Sequence, residues 1–170
     1  RPLVVKGPPA IIRFELPDFV STWGRRFNAG SAFTSYLFIT LILAFPLVRS
    51  LSWRLPSDLG DPVLNTWVLW WNTQALPFTE RWWNPPAFYP TPDILAYSEH
   101  LLGLTPISTP IYWLTGSPIL AYNVTFLLTF PLAGWSAYLL CKELTGRRDA
   151  AWIAGLAFAF APYRMSQLGH

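Results

Sequence analysis

The sequence predicts an all-α integral membrane protein. We expect about three transmembrane helices, plus interfacial or juxtamembrane helices in one long extracytoplasmic loop. Three observations carry this. Of the 170 residues 52% are hydrophobic and only 12% charged, with mean hydropathy +0.31, whereas soluble domains carry about 25% charged residues. Residues 27–48 carry no charge, and neither do residues 101–141. Ten Trp and seventeen Pro suit interfacial anchors and loops better than a water-soluble core.

Residues 1–30 read as a cytoplasmic arm followed by an interfacial amphipathic helix. Ile12, Leu16, Phe19, Val20, Trp23 and Phe27 recur at helical spacing. Pro17 and Asp18 suit its first turn, and Arg25 and Arg26 lie near its basic end. Packing on a partner protein explains the same stripe. No secretory leader is read, because the first apolar run is followed by Arg49 rather than by a small-residue cleavage pattern. Residues 31–48 form the first crossing, since the charge-free run of 27–48 meets the roughly 20 residues a bilayer requires.

Residues 49–117 form the long Trp/Pro-rich loop. Asp61-Pro62 predicts a helix over 62–76, with Asp61 as N-cap and Pro62 at the first helical position. Leu64, Trp67, Val68, Trp71 and Ala75 would make its apolar face; Asn65, Thr66, Asn72 and Thr73 would make the polar one. Such a helix lies in the membrane interface. Pro77, Pro85, Pro86, Pro90 and Pro92 then force an irregular loop, and Trp82, Trp83, Phe88 and Tyr89 hold it against the bilayer or a protein wall. Pro106 and Pro110 cut residues 101–115 below the length of a span, which predicts a juxtamembrane or re-entrant helix.

Residues 118–140 form the second crossing, kinked near Pro131, and residues 141–149 a basic cytoplasmic loop with Lys142, Arg147 and Arg148. Residues 150–170 form the third. Ala151, Gly155 and Ala159 give it a small-residue face for close helix packing. With few partners within the chain, a further C-terminal portion or another subunit is expected to cover that face. The basic residues concentrate in the N-terminal segment and in 142–148, which places the N-terminus in the cytoplasm and the long loop in the periplasm or outside the cell. The chain would thus reside in the cytoplasmic (inner) membrane.

Several functions have no foothold. The basic residues form no stripe, so nucleic acid is not an expected partner. Cys141 alone supports neither a disulfide framework nor a cysteine metal cluster. No Ser/His/Asp order, phosphate-binding glycine loop or zinc pattern occurs. Three constellations remain. Asp61 either caps its helix or acts as a general base at the membrane face. With Asp58 it makes a weak carboxylate pair that could hold a divalent metal such as Mg²⁺. Glu99-His100 either satisfies helix N-terminal amides before Leu101 or binds substrate, with His ligation of a metal or tetrapyrrole as a third reading. Tyr163-Arg164 either snorkels to headgroups or grips a phosphate.

Gly60-Asp61-Pro62-x-x-Asn65-Thr66-Trp67, Phe88-Tyr89-Pro90, Ser98-Glu99-His100-Leu101-Leu102-Gly103 and Ala159-Phe160-Ala161-Pro162-Tyr163-Arg164 occur in this order. Together they resemble the N-terminal part of bacterial GT-C superfamily glycosyltransferases, over about residues 30–170. The resemblance implies a large extracytoplasmic loop after the first span and an acidic base or metal ligand near its start, matched by Asp61. It also implies a polyprenyl-phosphate-linked sugar donor and a phosphate contact, matched by Arg164. Glu99, His100 and Tyr163 join Arg164 as expected substrate-binding positions. Family members carry more spans, which implies that 170 residues lack much of the donor cavity and are inactive alone. A second reading is a non-catalytic accessory subunit of a larger respiratory, photosynthetic or transport membrane complex. In both, the partners are the lipid bilayer and other transmembrane helices.

Overall fold

The computed structural model describes residues 28–56 and 60–166. The expected arm and interfacial helix at 1–27, Asp58, and residues 167–170 lie outside the described residues. Among the described residues every regular element is helical. In order these are α1 (Ala29–Leu43), a 3₁₀ turn (Leu47–Arg49), α2 (Asp61–Gln74), α3 (Glu80–Trp83), a second 3₁₀ turn (Ile94–Tyr97), α4 (Thr105–Thr115), α5 (Pro118–Thr145), α6 (Arg148–Ala159) and α7 (Pro162–Ser166).

The elements sort into a three-helix bundle and a cap. In the bundle, α1 and α6 both pack against α5. Asn28 starts α1, its side chain accepting from the Ser31 N–H at 2.8 Å. Ser117 caps α5 in the same way, followed by Pro118 at the first helical position. Helix α5 runs for 28 residues and is the one described helix long and apolar enough to cross a membrane. It ends at Gly146, whose φ of 68° is the left-handed value a helix C-terminus favours in glycine. The stretch from Cys141 to Thr145, expected in the basic loop, is therefore the last part of this helix. Two residues later α6 begins and folds back. Arg147 donates to both carboxylate oxygens of Asp149 in the first turn of α6, at 3.3 and 2.7 Å.

The small-residue face of α6 is covered from within the chain. This corrects the expectation that an external partner must cover it. Ala151 and Ala159 are fully buried, and Gly155 lies against Gly134 of α5 and Tyr36 of α1. A Cβ at Gly155 would collide with the Tyr36 hydroxyl and stand 2.5 Å from the Gly134 carbonyl oxygen. The polar tips of the bundle's aromatic residues find partners. The Tyr36 hydroxyl donates to the Trp152 carbonyl at 2.8 Å, and the Trp152 indole donates to Ser35 Oγ at 2.8 Å. The Trp135 indole donates to the Ala29 carbonyl at 3.0 Å.

Residues 150–170 do not form one helix. Helix α6 stops at Ala159, and Pro162 opens the separate α7. Proline lacks the N–H the ladder needs and pushes the residue before it out of helical geometry, so the break falls at Phe160-Ala161.

The cap is built from α2, α3, the second 3₁₀ turn and α4, and it has a core of its own. Val68, Trp71, Ala75, Trp82 and Leu95 are buried together, with Trp67, Trp70, Trp83, Leu101 and Leu102 packed around them. Trp82 is fully buried, while Phe88 and Tyr89 are exposed. Of the aromatic residues expected to press outward, Trp82 therefore turns inward. Thr66 and Asn72, expected on a solvated face of α2, are buried as well. Helices α2 and α4 both rest on α5, which joins the cap to the bundle.

Candidate functional site

Asp61 sits in the first turn of α2, and its side chain is exposed. Gly60 occupies the N-cap position and no side-chain cap bond is made, so Asp61 is not the cap that its place before Pro62 predicted. Its carboxylate stands near enough to the Tyr122 phenol, in the second turn of α5, to act on it electrostatically. The start of the loop's first helix is thereby placed beside the first half of α5.

Glu99 and His100 follow the second 3₁₀ turn. Glu99 is exposed and accepts from Ser98 Oγ at 3.4 Å. The His100 ring packs on Trp82 and Trp83, with centroids 5.6 and 6.2 Å away. Its carbonyl accepts from Asn72 Nδ2 at 2.8 Å. Helix α4 begins only at Thr105, with Leu104 at its N-cap and no side-chain cap bond. The expected role of Glu99-His100 in satisfying helix amides is therefore not met. What holds His100 is the tryptophan core of the cap.

Tyr163 and Arg164 lie on α7 and point to different surroundings. Tyr163 is exposed. Arg164 is half-buried against α5, where its Nη2 donates to Thr129 Oγ1 at 2.9 Å and its guanidinium carbon lies 4.5 Å from the Phe130 ring centre. Phe130 in turn stacks on Phe160 at 6.1 Å.

Next to this contact is a cavity of about 390 Å³. Its wall is formed by the end of α1 and the turn after it (Leu43, Phe45, Leu47), by Arg54, by Phe126 and Phe130 of α5, and by Phe160 and Met165. The lining is mostly apolar, with Arg54 as its charged residue. The turn carrying Arg54 is fixed by Asn123, a fully buried side chain of α5. Its Nδ2 donates to the carbonyls of Leu51 and Arg54 at 2.7 and 2.6 Å. Neither the cavity nor Asn123 had a local sequence signal.

The site thus brings Asp61 and the cavity to the same half of α5, at Tyr122 and at Phe126–Phe130 respectively. Glu99 and His100 belong to the cap core instead. Among the described residues no group of three His, Cys, Asp or Glu side chains could hold a metal, and Asp58 lies outside them. At the other end of α5, the hydrogen bonds from Arg147 hold the Asp149 carboxyl below the usual carboxylate range. The sign follows: this pair stabilises the fold above the ordinary carboxyl pKa, and its contribution is lost as pH falls through the depressed value.

No family model matches the chain, and no curated protein or solved structure matches it.

Proposed function

We propose that this chain is the N-terminal membrane region of a GT-C-like glycosyltransferase that moves a sugar from a polyprenyl-phosphate donor at the outer membrane face. The observation that carries the reading is the pairing just described. An apolar cavity with one arginine, Arg54, in its lining borders the first half of α5, and α2, which carries the exposed Asp61, packs on α5 as well. The cavity suits an apolar chain ending in an anion, and the carboxylate suits proton removal from an acceptor hydroxyl.

In this reading α1, α5, and α6 with α7 cross the membrane. Helix α5 has the length and composition for it. Support for the others is their packing on α5 while exposing Phe38, Ile42 and Leu43 on α1, and Ile153 and Phe158 on α6. The cap rests on the outer leaflet, with the N-terminus and Lys142 cytoplasmic. Asp61 takes the proton as the acceptor oxygen attacks the anomeric carbon. The bond from that carbon to the phosphate oxygen breaks, and the lipid phosphate leaves with the electron pair. The small-residue face, one of the motives for the accessory-subunit reading beside the short chain and the interfacial Trp, is filled here from within the chain.

The test is sugar transfer from a radiolabelled polyprenyl-phosphate donor by the complete native polypeptide in proteoliposomes. Asp61→Asn is expected to lower transfer by about 100-fold or more, the scale of general-base catalysis, while leaving insertion in the membrane intact. Undiminished transfer by the variant sinks the assignment.

A further inference from the structure

We propose that the turn after α1 and the end of α4 form one surface belt that selects anionic two-chain lipids in the leaflet at the start of α5, with Arg49 and Arg54 contacting the headgroups. Two arginines stack on rings in this turn. The Arg49 guanidinium carbon lies 4.8 Å from the Phe45 ring centre, and that of Arg54 lies 5.4 Å from the Trp53 ring centre. All four side chains are exposed, and neither arginine makes an ion pair among the described residues. A guanidinium laid on a ring face keeps its edge N–H groups free for headgroup oxygens, and the ring limits how far it can swing. Trp113 and Leu114, at the end of α4, are exposed as well. Residues 45–54 and 113–114 hold these two arginines and no acid, so the belt is positive throughout.

Depth decides what these groups meet. Asn123 lies in the second turn of α5, roughly 8 Å along the axis from Pro118. Its Nδ2 donates to the Leu51 and Arg54 carbonyls, which sets the turn at that level. The carbonyl of the buried Ser50 accepts from the Trp53 and Arg54 N–H groups at 3.2 and 2.9 Å and keeps the turn closed. Trp113 and Leu114 stand at the same end, just before Ser117 caps α5. The headgroup layer of a bilayer is about 5–8 Å deep on each side. With α5 as a crossing helix, the belt falls in that layer, where aromatic rings gather. Positive charge held there attracts lipids of net negative charge, whereas a zwitterionic headgroup sets its own cation against the phosphate.

The inference rests on the membrane placement given above and not on sugar transfer. Phosphatidylglycerol and phosphatidylcholine, each with a photoactivatable headgroup, are introduced separately and at equal level into proteoliposomes of the complete native polypeptide. Adducts are mapped to residues by mass spectrometry. Phosphatidylglycerol adducts within residues 45–54 and at Trp113-Leu114 are expected to exceed those of phosphatidylcholine by about 5-fold or more, the effect of a single arginine near an anionic lipid surface. Arg49→Gln with Arg54→Gln should abolish that excess, while the phosphatidylcholine adducts and all adducts around Lys142 stay as they were. Arg49→Lys with Arg54→Lys should keep most of the excess, because the charge remains. Equal adducts of the two lipids in the native protein overturn the proposal and leave the membrane placement intact. An excess that survives in the double Gln variant also overturns it. So does loss of the excess on adding inorganic phosphate at constant ionic strength, which would make the site one for free anions. Absence of either lipid from the belt would remove the membrane placement along with this inference. Selectivity as expected without any sugar transfer would sink the transferase reading and leave this one standing.

Discussion

A buried amide must place two N–H groups and a carbonyl, and Asn72 does so with three parts of the cap. Its oxygen accepts from the Trp82 indole at 2.8 Å. Its nitrogen donates to the His100 carbonyl at 2.8 Å and to Thr105 Oγ1 at 2.9 Å. Asn72→Leu strands the Trp82 indole N–H and the His100 carbonyl inside the tryptophan core, while Thr105 Oγ1 keeps its bond to the Leu101 carbonyl at 3.3 Å. We expect a loss of about 2–4 kcal/mol in cap stability, since each orphaned buried polar group costs about 1–3 kcal/mol. Limited proteolysis within residues 84–93 reads this out, and unchanged cleavage would show that the amide does not hold the cap. The sequence pattern put Asn72 on a solvated face because helical periodicity ranks asparagine with water-facing residues. What decides its burial are partners at positions 82, 100 and 105, which no window along the helix contains. By contrast Asp61-Pro62 was legible, because a proline in the first turn of a helix is a local rule. Only the identity of the capping residue was missed, by one position.

At the scale of elements, α5 and α6 meet through Gly134 and Gly155. The four-residue recurrence of Ala151, Gly155 and Ala159 announced close approach. It could not name the partner, because Tyr36 and Gly134 lie far away in sequence. Gly155→Ala forces its methyl against backbone and should destabilise the bundle by about 2–3 kcal/mol, in the range of overpacked cores. Gly134→Ala meets the Tyr36 ring at 3.0 Å and both Ala159 Cβ and the Gly155 carbonyl oxygen at 3.1 Å, looser contacts that small shifts relieve, and should cost less. Thermal unfolding in detergent ranks the two, and equal losses would rule out the closer backbone approach at Gly155 as the cause. The helix ends at Gly116 and Pro118 were legible, the expected segments closing at 115 and opening at 118, whereas those at Gly146 and Pro162 were missed, the expected boundaries there falling at 140 and 170. Helix lengths were less legible. Helix α5 runs past the last apolar residues into a charged turn, because nothing before Gly146 obliges it to stop.

For the whole molecule, the helical class follows from composition and periodicity alone, and the described residues are helical throughout their regular elements. The cavity has no such signal, since it arises where α1 ends, α6 breaks and the loop returns at Arg54. The proposed orientation has its own test. Helix α5, with 28 residues, is roughly 42 Å long, enough to carry its two ends to opposite faces of a bilayer. Single cysteines replacing Glu80 and Lys142, in a Cys141→Ser background, should react with an impermeant reagent from outside only and from inside only, respectively. Reaction of both from the same side would refute three crossings.

The tryptophan core of the cap also makes it an optical object. Trp67, Trp70, Trp71, Trp82 and Trp83 gather in one cluster, half of the ten indoles in the chain, with Trp67 and Trp71 stacked at 6.1 Å. Excitation spreads readily among chromophores so close together. A loosening of the cap therefore acts on five indoles at once, whereas the bundle is reported by Trp135 and Trp152 alone among the indoles that anchor it.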